Sequence, residues 1–215
     1  VLWDDYATAW SALHGGYDPR RATPVVRGWV RLAYGLGSWL SRLGVGPMAV
    51  TTAGLVLCGV VPALVALLGR FGVLLAAVVV LVAALADGLD GAVAVISNRT
   101  SRLGYVYDSV ADRLGELAWL AAFWLAGAPA WLVVAAGAAS WLQEYARARA
   151  TAAGMSELGV VTVAERPTRV LIAVFGLLAS FALPALITVA AAVWLGLALI
   201  AGIQLTIAIR RSLTP

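Results

Sequence analysis

Six stretches of about 20 apolar positions, near residues 47–68, 71–96, 103–126, 129–152, 167–184 and 186–209, alternate with short polar segments. That length is what an α-helix needs to cross a bilayer. Ahead of them the pattern changes. Over residues 24–42, Arg27, Arg31, Ser38 and Arg42 fall on one helical face, and Val26, Trp29, Val30, Leu36, Trp39 and Leu40 on the other. Such a helix lies flat in the headgroup layer, with Thr23 as its N-cap and Pro24 at its first position. Residues 1–22 are polar and aromatic, with Trp3, Tyr6 and Trp10 at helical spacing and Gly15, Gly16 and Pro19 as breakers; they are expected at the interface or partly disordered. The pattern predicts an all-α polytopic membrane protein, six transmembrane helices preceded by an amphipathic interfacial helix. Residues 1–45 form the juxtamembrane region and 46–215 the transmembrane domain.

Composition sharpens this. Of the 215 residues, 62% are hydrophobic and 12% charged, far above the apolar share of a soluble domain. All 15 basic residues are Arg, which with the Ala, Gly and Val richness suggests a GC-rich, actinobacterial-type source. The net charge of +4 is modest, and no nucleic-acid partner is expected. Arg27, Arg31 and Arg42 precede the first span, Arg99 and Arg102 join the second to the third, Arg147 to Arg169 join the fourth to the fifth, and Arg210 and Arg211 follow the sixth. Only Arg70 falls on the other side, so the positive-inside rule places both termini on the cytoplasmic face of the plasma membrane. The single cysteine, Cys58, excludes an internal disulfide. No signal peptide is expected, because Asp4 and Asp5 interrupt the N-terminal stretch; the chain begins at Val1 rather than Met, leaving room for residues upstream. The lone histidine, His14, is assigned no role. No internal repeat argues for a transporter of duplicated halves.

The chemistry is concentrated in residues 87–112, DGLDGAVAVISNRTSRLGYVYDSVAD. Asp87 and Asp90 are spaced i,i+3, and Asp108 and Asp112 i,i+4, so each pair lies on one helical face. If the two helices run antiparallel about a turn near Arg99, Asp87 faces Asp112 and Asp90 faces Asp108. An ionised side chain at membrane depth costs roughly 2.5–3.5 kcal/mol by insertion scales, so four at one level require cations. Hard divalent ions suit acceptor-only oxygens, and two of them balance four carboxylates. A pair of such ions is a usual device for displacement at phosphorus. Gly91 and Ala94 leave the adjacent helix face bare for a ligand, and Gly88 and Gly104 add to this. A structural carboxylate cluster or a cation pathway is the competing reading, but a conduction path spreads its acids through depth.

Asp87-x-x-Asp90-Gly91-x-x-Ala94 followed by Gly104-x-x-x-Asp108-x-x-x-Asp112 resembles the signature of the CDP-alcohol phosphatidyltransferases, including the nine-residue gap; seven of eight motif positions agree. The six spans and the interfacial helix are also similar to that family. The resemblance implies phospholipid biosynthesis by transfer of a phosphatidyl group from CDP-diacylglycerol to a small polar alcohol, releasing CMP, with two Mg²⁺ or Mn²⁺ ions, in a homodimer embedded in membrane lipid. By that likeness Asp87, Asp90 and Asp108 hold the first metal, while Asp112 shares the second and serves as general base. Thr51, Gly91, Ala94 and Gly104 then belong to the nucleotide side. Two departures stand out. Gly46-Pro47-Met48 replaces the commoner Thr-Pro-Asn, and Val95 stands where the family has an Arg that helps hold the diphosphate. Arg99 and Arg102, on the turn joining the motif helices, are expected to compensate. Arg113 points about 100° around the helix from Asp112 and is not expected to reach the metals.

Glu144, Arg147 and Arg149 close the fourth span, and Glu165, Arg166 and Arg169 open the fifth. The arrangement is similar to the region that receives inositol phosphate in the phosphatidylinositol phosphate synthases of this family, which makes Arg147, Arg149, Arg166 and Arg169 the candidate acceptor site. Convergent guanidinium groups suit a phosphate or polyol; a positive-inside bias alone is the competing explanation. Glu116 is as well placed to pair with an arginine as to touch substrate. Inositol phosphate or inositol is the favoured acceptor, ahead of glycerol-3-phosphate or phosphatidylglycerol. A non-catalytic nucleotide-lipid-binding protein and an ion or proton transporter are the alternatives from other classes.

Overall fold

A computed structural model describes residues 1–13, 16–155 and 161–213; His14 and Gly15 lie outside them. Seven helices and no strand occur among the described residues: α1 (Trp3–Leu13), α2 (Pro24–Arg42), α3 (Pro47–Ile96), α4 (Arg102–Leu125), α5 (Ala130–Ala152), α6 (Arg166–Ala182) and α7 (Leu186–Leu213). Two of them, α3 and α7, are long and apolar enough to cross a membrane by length and composition. The 50 residues of α3 are broken at Gly69, whose φ of 52° and ψ of −128° are non-helical. Only glycine adopts that backbone without strain, and a Cβ at the nearby Gly72 would run into the Leu64 carbonyl. The glycine pair therefore reverses the chain where the sequence pattern separates its first two spans.

The chain groups into two compact units, one of residues Val1–Val56 with Val82–Asp112, the other of Leu57–Leu81 with Arg113–Pro215. In the first, Tyr6 of α1, Val30 and Ala33 of α2 and Val50, Leu89, Ala92 and Val93 of α3 form a buried cluster. On α2 the members come from the apolar stripe of Val26, Val30, Ala33 and Leu40 at helical spacing. Helix α2 starts with Thr23 at the N-cap and Pro24 at N1, although the Thr23 side chain makes no capping hydrogen bond. Its predicted apolar face is only partly covered by the rest of the chain. Val26, Val30, Leu36 and Leu40 pack into the cluster, but Trp29 and Trp39 are 48% and 54% exposed. Gly37 lets α2 approach α3 closely, since a Cβ there would come 3.1 Å from the Ala92 methyl, and the Trp29 indole lies beside Gly88 of α3.

In the second unit α7 packs against both α5 and α6. Trp194 of α7 is buried, donating from Nε1 to Ser140 Oγ of α5 at 3.0 Å and meeting Phe123 edge-on at 6.2 Å. Arg70 has a local reason for standing apart from the other arginines. Its Nε donates to the Phe181 carbonyl at 3.0 Å, and its guanidinium lies 4.7 Å from the Phe181 ring centre. A cation on the last carbonyls of α6 satisfies a helix end and complements its dipole.

Candidate active site

The aspartates are positioned by the way α3 ends and α4 begins. Ser97 caps α3, and Asn98 takes a left-handed conformation with φ of 54°. The Asn98 N–H then bonds the Val95 carbonyl at 3.2 Å and the Arg99 N–H the Ala94 carbonyl at 2.9 Å, the paired bonds of a Schellman stop. Asparagine tolerates this backbone better than other side-chain-bearing residues. The chain turns within five residues, and Ser101 Oγ receives the Gly104 N–H at 3.0 Å in the first turn of α4.

This turn brings three of the four predicted carboxylates together. Ligand oxygens of Asp87, Asp90 and Asp108 all lie within 4.8 Å of one another. Asp90 is buried, while Asp87 and Asp108 are half-buried. Asp112 lies one turn further along α4, half-buried, and is not part of that trio. The residue missed as a partner is Thr51, whose hydroxyl donates to Asp90 Oδ2 at 2.6 Å. A threonine near the start of an otherwise apolar span was the available signal. The adjacent Thr52 hydroxyl instead bonds the Tyr107 hydroxyl at 2.8 Å.

Beside the carboxylates opens a cavity of about 260 Å³, lined by Asp90 and Asp108 and by Thr51, Gly91, Ala94, Arg99 and Gly104. Five of the six residues expected on the nucleotide side thus line one space. A Cβ placed on Gly91 would meet nothing within 4 Å, so the glycine leaves room rather than permitting a tight packing contact. Arg102 is exposed at the start of α4 and does not line the cavity. Val95 is also absent from its lining and packs against the buried cluster of the first unit. Arginine at 99 lines this cavity, where the motif's arginine position holds a core valine.

The acceptor candidates have a different setting. Arg169 is 1% exposed, and its Nη1 donates to both carboxylate oxygens of Glu116 at 3.0 and 3.1 Å. Its Nη2 reaches Gln143 Oε1 at 3.3 Å and Glu144 Oε1 at 3.2 Å. Arg147 donates to Glu165 Oε1 at 2.7 Å and stands 3.8 Å from Glu144. Arg113 pairs with Glu116 at 2.9 Å and Glu144 at 3.2 Å. Arg166 is half-buried, its guanidinium 5.8 Å from the Trp119 ring centre, and Arg149 is exposed. Glu116 therefore serves arginines. Glu165 also accepts the Thr162 N–H and hydroxyl, both at 2.8 Å. Burial alone would raise its carboxyl, but those bonds and the Arg147 guanidinium hold it below the ordinary carboxylate range. Thr162, missed from sequence, had its signal in the Thr162-x-x-Glu165 spacing, in which the glutamate reaches back to the threonine N–H.

A family model described as CDP-alcohol phosphatidyltransferase matches residues 45–206. Archaetidylinositol phosphate synthase of Pyrococcus horikoshii is 32% identical over 143 residues, covering 64% of this chain and 71% of that protein. A crystal structure of Mycobacterium tuberculosis phosphatidylinositol phosphate synthase with CDP-DAG bound has a TM-score of 0.72 at 26% identity, covering 86% of this chain and 96% of that one. The same mycobacterial synthase in complex with manganese and citrate has the same fold, with a TM-score of 0.72 at 24% identity over 85% of this chain and 90% of that one.

Proposed function

The chain belongs to the CDP-alcohol phosphatidyltransferase family and is an enzyme of that class, and we propose that it moves a phosphatidyl group from CDP-diacylglycerol to inositol phosphate or inositol. The observation that carries this reading is the convergence of Asp87, Asp90 and Asp108 beside the cavity that holds Gly91, Ala94 and Arg99. The acceptor assignment draws on the inositol phosphate synthases among its relatives.

The donor set fits a divalent cation of the Mg²⁺ or Mn²⁺ type, since it consists of hard carboxylate oxygens spaced closely enough to share one ion. Asp87, Asp90 and Asp108 would hold the first ion, and Asp112 would share the second; the chemistry such ions would supply is positive charge against the diphosphate and the leaving oxygen of CMP. Gly91 and Ala94 leave space for the nucleotide, and Arg99 pairs with the diphosphate. Asp112 takes the proton of the acceptor hydroxyl as general base. The hydroxyl oxygen bonds the phosphorus that carries diacylglycerol, the bond from that phosphorus to the CMP oxygen breaks, and CMP leaves. Arg147, Arg149 and Arg166 contact the acceptor phosphate or polyol, with Arg169 holding the glutamates of that region in place.

The lipid tails remain in the bilayer throughout. Six spans, two of them supplied by the broken α3, follow the interfacial region of residues 1–45. Both termini and the aspartates face the cytoplasm across the plasma membrane, in a homodimer.

The test is CMP release by purified protein from CDP-diacylglycerol with Mg²⁺ or Mn²⁺ and a panel of acceptors, with products identified by mass spectrometry. Metal-dependent CMP release with a phosphatidylinositol or phosphatidylinositol phosphate product is expected. Products from glycerol-3-phosphate or phosphatidylglycerol alone would replace the acceptor assignment, and no CMP with any acceptor would end the reading.

A further inference from the structure

We infer that Thr51 fixes the way Asp90 presents its carboxylate and thereby sets which divalent cation the aspartate site prefers. The inference rests on the metal-dependent reading above and adds a determinant of metal identity. A threonine hydroxyl has one hydrogen to give. Two acceptors are in reach, Asp90 Oδ2 at 2.6 Å and the Pro47 carbonyl at 3.2 Å. The shorter contact lies in the range of charge-assisted O–H···O⁻ bonds, so the proton is directed at the carboxylate. Both residues are buried, at 8% and 7% exposure, which leaves bulk water little access to the bond between them.

The contact is built into the backbone. Residues 51 and 90 face each other across the two arms of α3, as do Gly54 and Ala86 nearby, where a Cβ on Gly54 would sit 3.4 Å from the Ala86 methyl. Asp90 cannot turn about its side-chain bonds without giving up this donor. With one lone pair of Oδ2 engaged and the carboxylate plane fixed, Oδ1 is the less encumbered ligand oxygen and a symmetric bidentate grip is disfavoured. Small ions such as Mg²⁺ require near-octahedral single-oxygen ligands at short distance, whereas Ca²⁺ accepts six to eight oxygens and bidentate carboxylates. Mn²⁺ shares the octahedral oxygen preference. Thr51 thus favours the small octahedral ions. It is a positioning residue, acting through Asp90.

The test is direct metal binding by the full chain in detergent, without substrate. Mn²⁺ affinity is read by electron paramagnetic resonance, and Ca²⁺ by its competition against Mn²⁺. Thr51→Val keeps the side-chain shape and removes the hydroxyl; Thr51→Ser keeps the hydroxyl; Thr52→Val removes a hydroxyl bonded to Tyr107 instead. Loss of a partner that orients a metal ligand costs about 10–100-fold in affinity. Thr51→Val is expected to lose Mn²⁺ affinity by that factor while Ca²⁺ loses less, so that Ca²⁺ displaces Mn²⁺ at a lower ratio. Thr51→Ser and Thr52→Val should bind as wild type. If Thr51→Val does not retain its helical circular dichroism, Thr51→Ala and Thr51→Ser supply the same contrast. Unchanged Mn²⁺ binding in the hydroxyl-deleted variant, or equal losses for both ions, overturns the inference. Absence of Mn²⁺ binding by wild type would instead overturn the metal-dependent reading on which it rests.

Discussion

Arg169 and Glu116 form an ion pair at 1% and 2% exposure, and the consequence of breaking it separates a structural arginine from a substrate-binding one. In Arg169→Met the stem is retained and the guanidinium lost, leaving Glu116 with the Arg113 contact at 2.9 Å. Removing one member of a buried pair costs about 3–5 kcal/mol, because the other charge stays buried. The surviving Arg113 contact places the cost near the lower end, about 3 kcal/mol. At about 2–4 °C per kcal/mol for a chain of this size, Tm should fall by roughly 6–12 °C. Replacing both charges, Arg169→Met with Glu116→Leu, removes the uncompensated carboxylate, and such double replacements are often neutral or stabilising. The double variant should therefore recover most of the lost Tm, giving a coupling of about 1–3 kcal/mol in a double-mutant cycle. Thermal unfolding in detergent measures the four proteins, and acceptor KM is measured alongside. If Arg169 contacts the acceptor phosphate directly, the double variant recovers Tm while its KM stays high. Additive losses within about 0.5 kcal/mol would refute the coupling and with it the account of Arg169 as a partner of Glu116.

Asp112→Asn should lower kcat by at least about 100-fold while CDP-diacylglycerol binding persists, since the amide takes no proton but three carboxylates remain for the first ion; activity within a few fold of wild type would remove Asp112 as the base. Arg99→Ala should weaken CDP-diacylglycerol binding by about 10-fold or more, the worth of one charge-assisted contact, and Arg102→Ala should weaken it less because Arg102 does not line the cavity; the reverse order in a lipid-binding titration would misplace the diphosphate. Glu165 has a depressed carboxyl pKa, so the stability it contributes is present above the unfolded value near about 4.3 and is lost as pH falls through the lower folded value. The Tm advantage of wild type over Glu165→Gln should accordingly be steady above about pH 6 and shrink toward about pH 4; an advantage that grows on acidification contradicts the assignment.

Periodicity and spacing alone were enough to place the helices and to single out the aspartates. Apolar runs long enough for a helix need no partner to be recognised, and α2 to α7 begin and end within a few residues of the predicted stretches, whereas α1 falls in a segment expected only at the interface or partly disordered. The i,i+3 and i,i+4 spacing put each carboxylate pair on one face before any tertiary contact was considered, and the short turn at residues 97–101 makes the convergence of Asp87, Asp90 and Asp108 a local matter, while Asp112 stays outside the trio. What lay beyond the sequence were choices among partners distant along the chain. Trp29 and Trp39 share the apolar side of α2 with Val30, yet Val30 is buried while both indoles stay about half exposed, Trp29 beside Gly88 of α3. Thr51 found Asp90 across 39 residues. The arginines of α5 and α6 were legible as a charge cluster, and Glu116 as a partner for an arginine or for substrate, but which carboxylate each arginine meets was not, because a guanidinium serves a phosphate or a carboxylate equally well. Which one it meets is settled by the packing of neighbouring helices, and that information resides in no single segment.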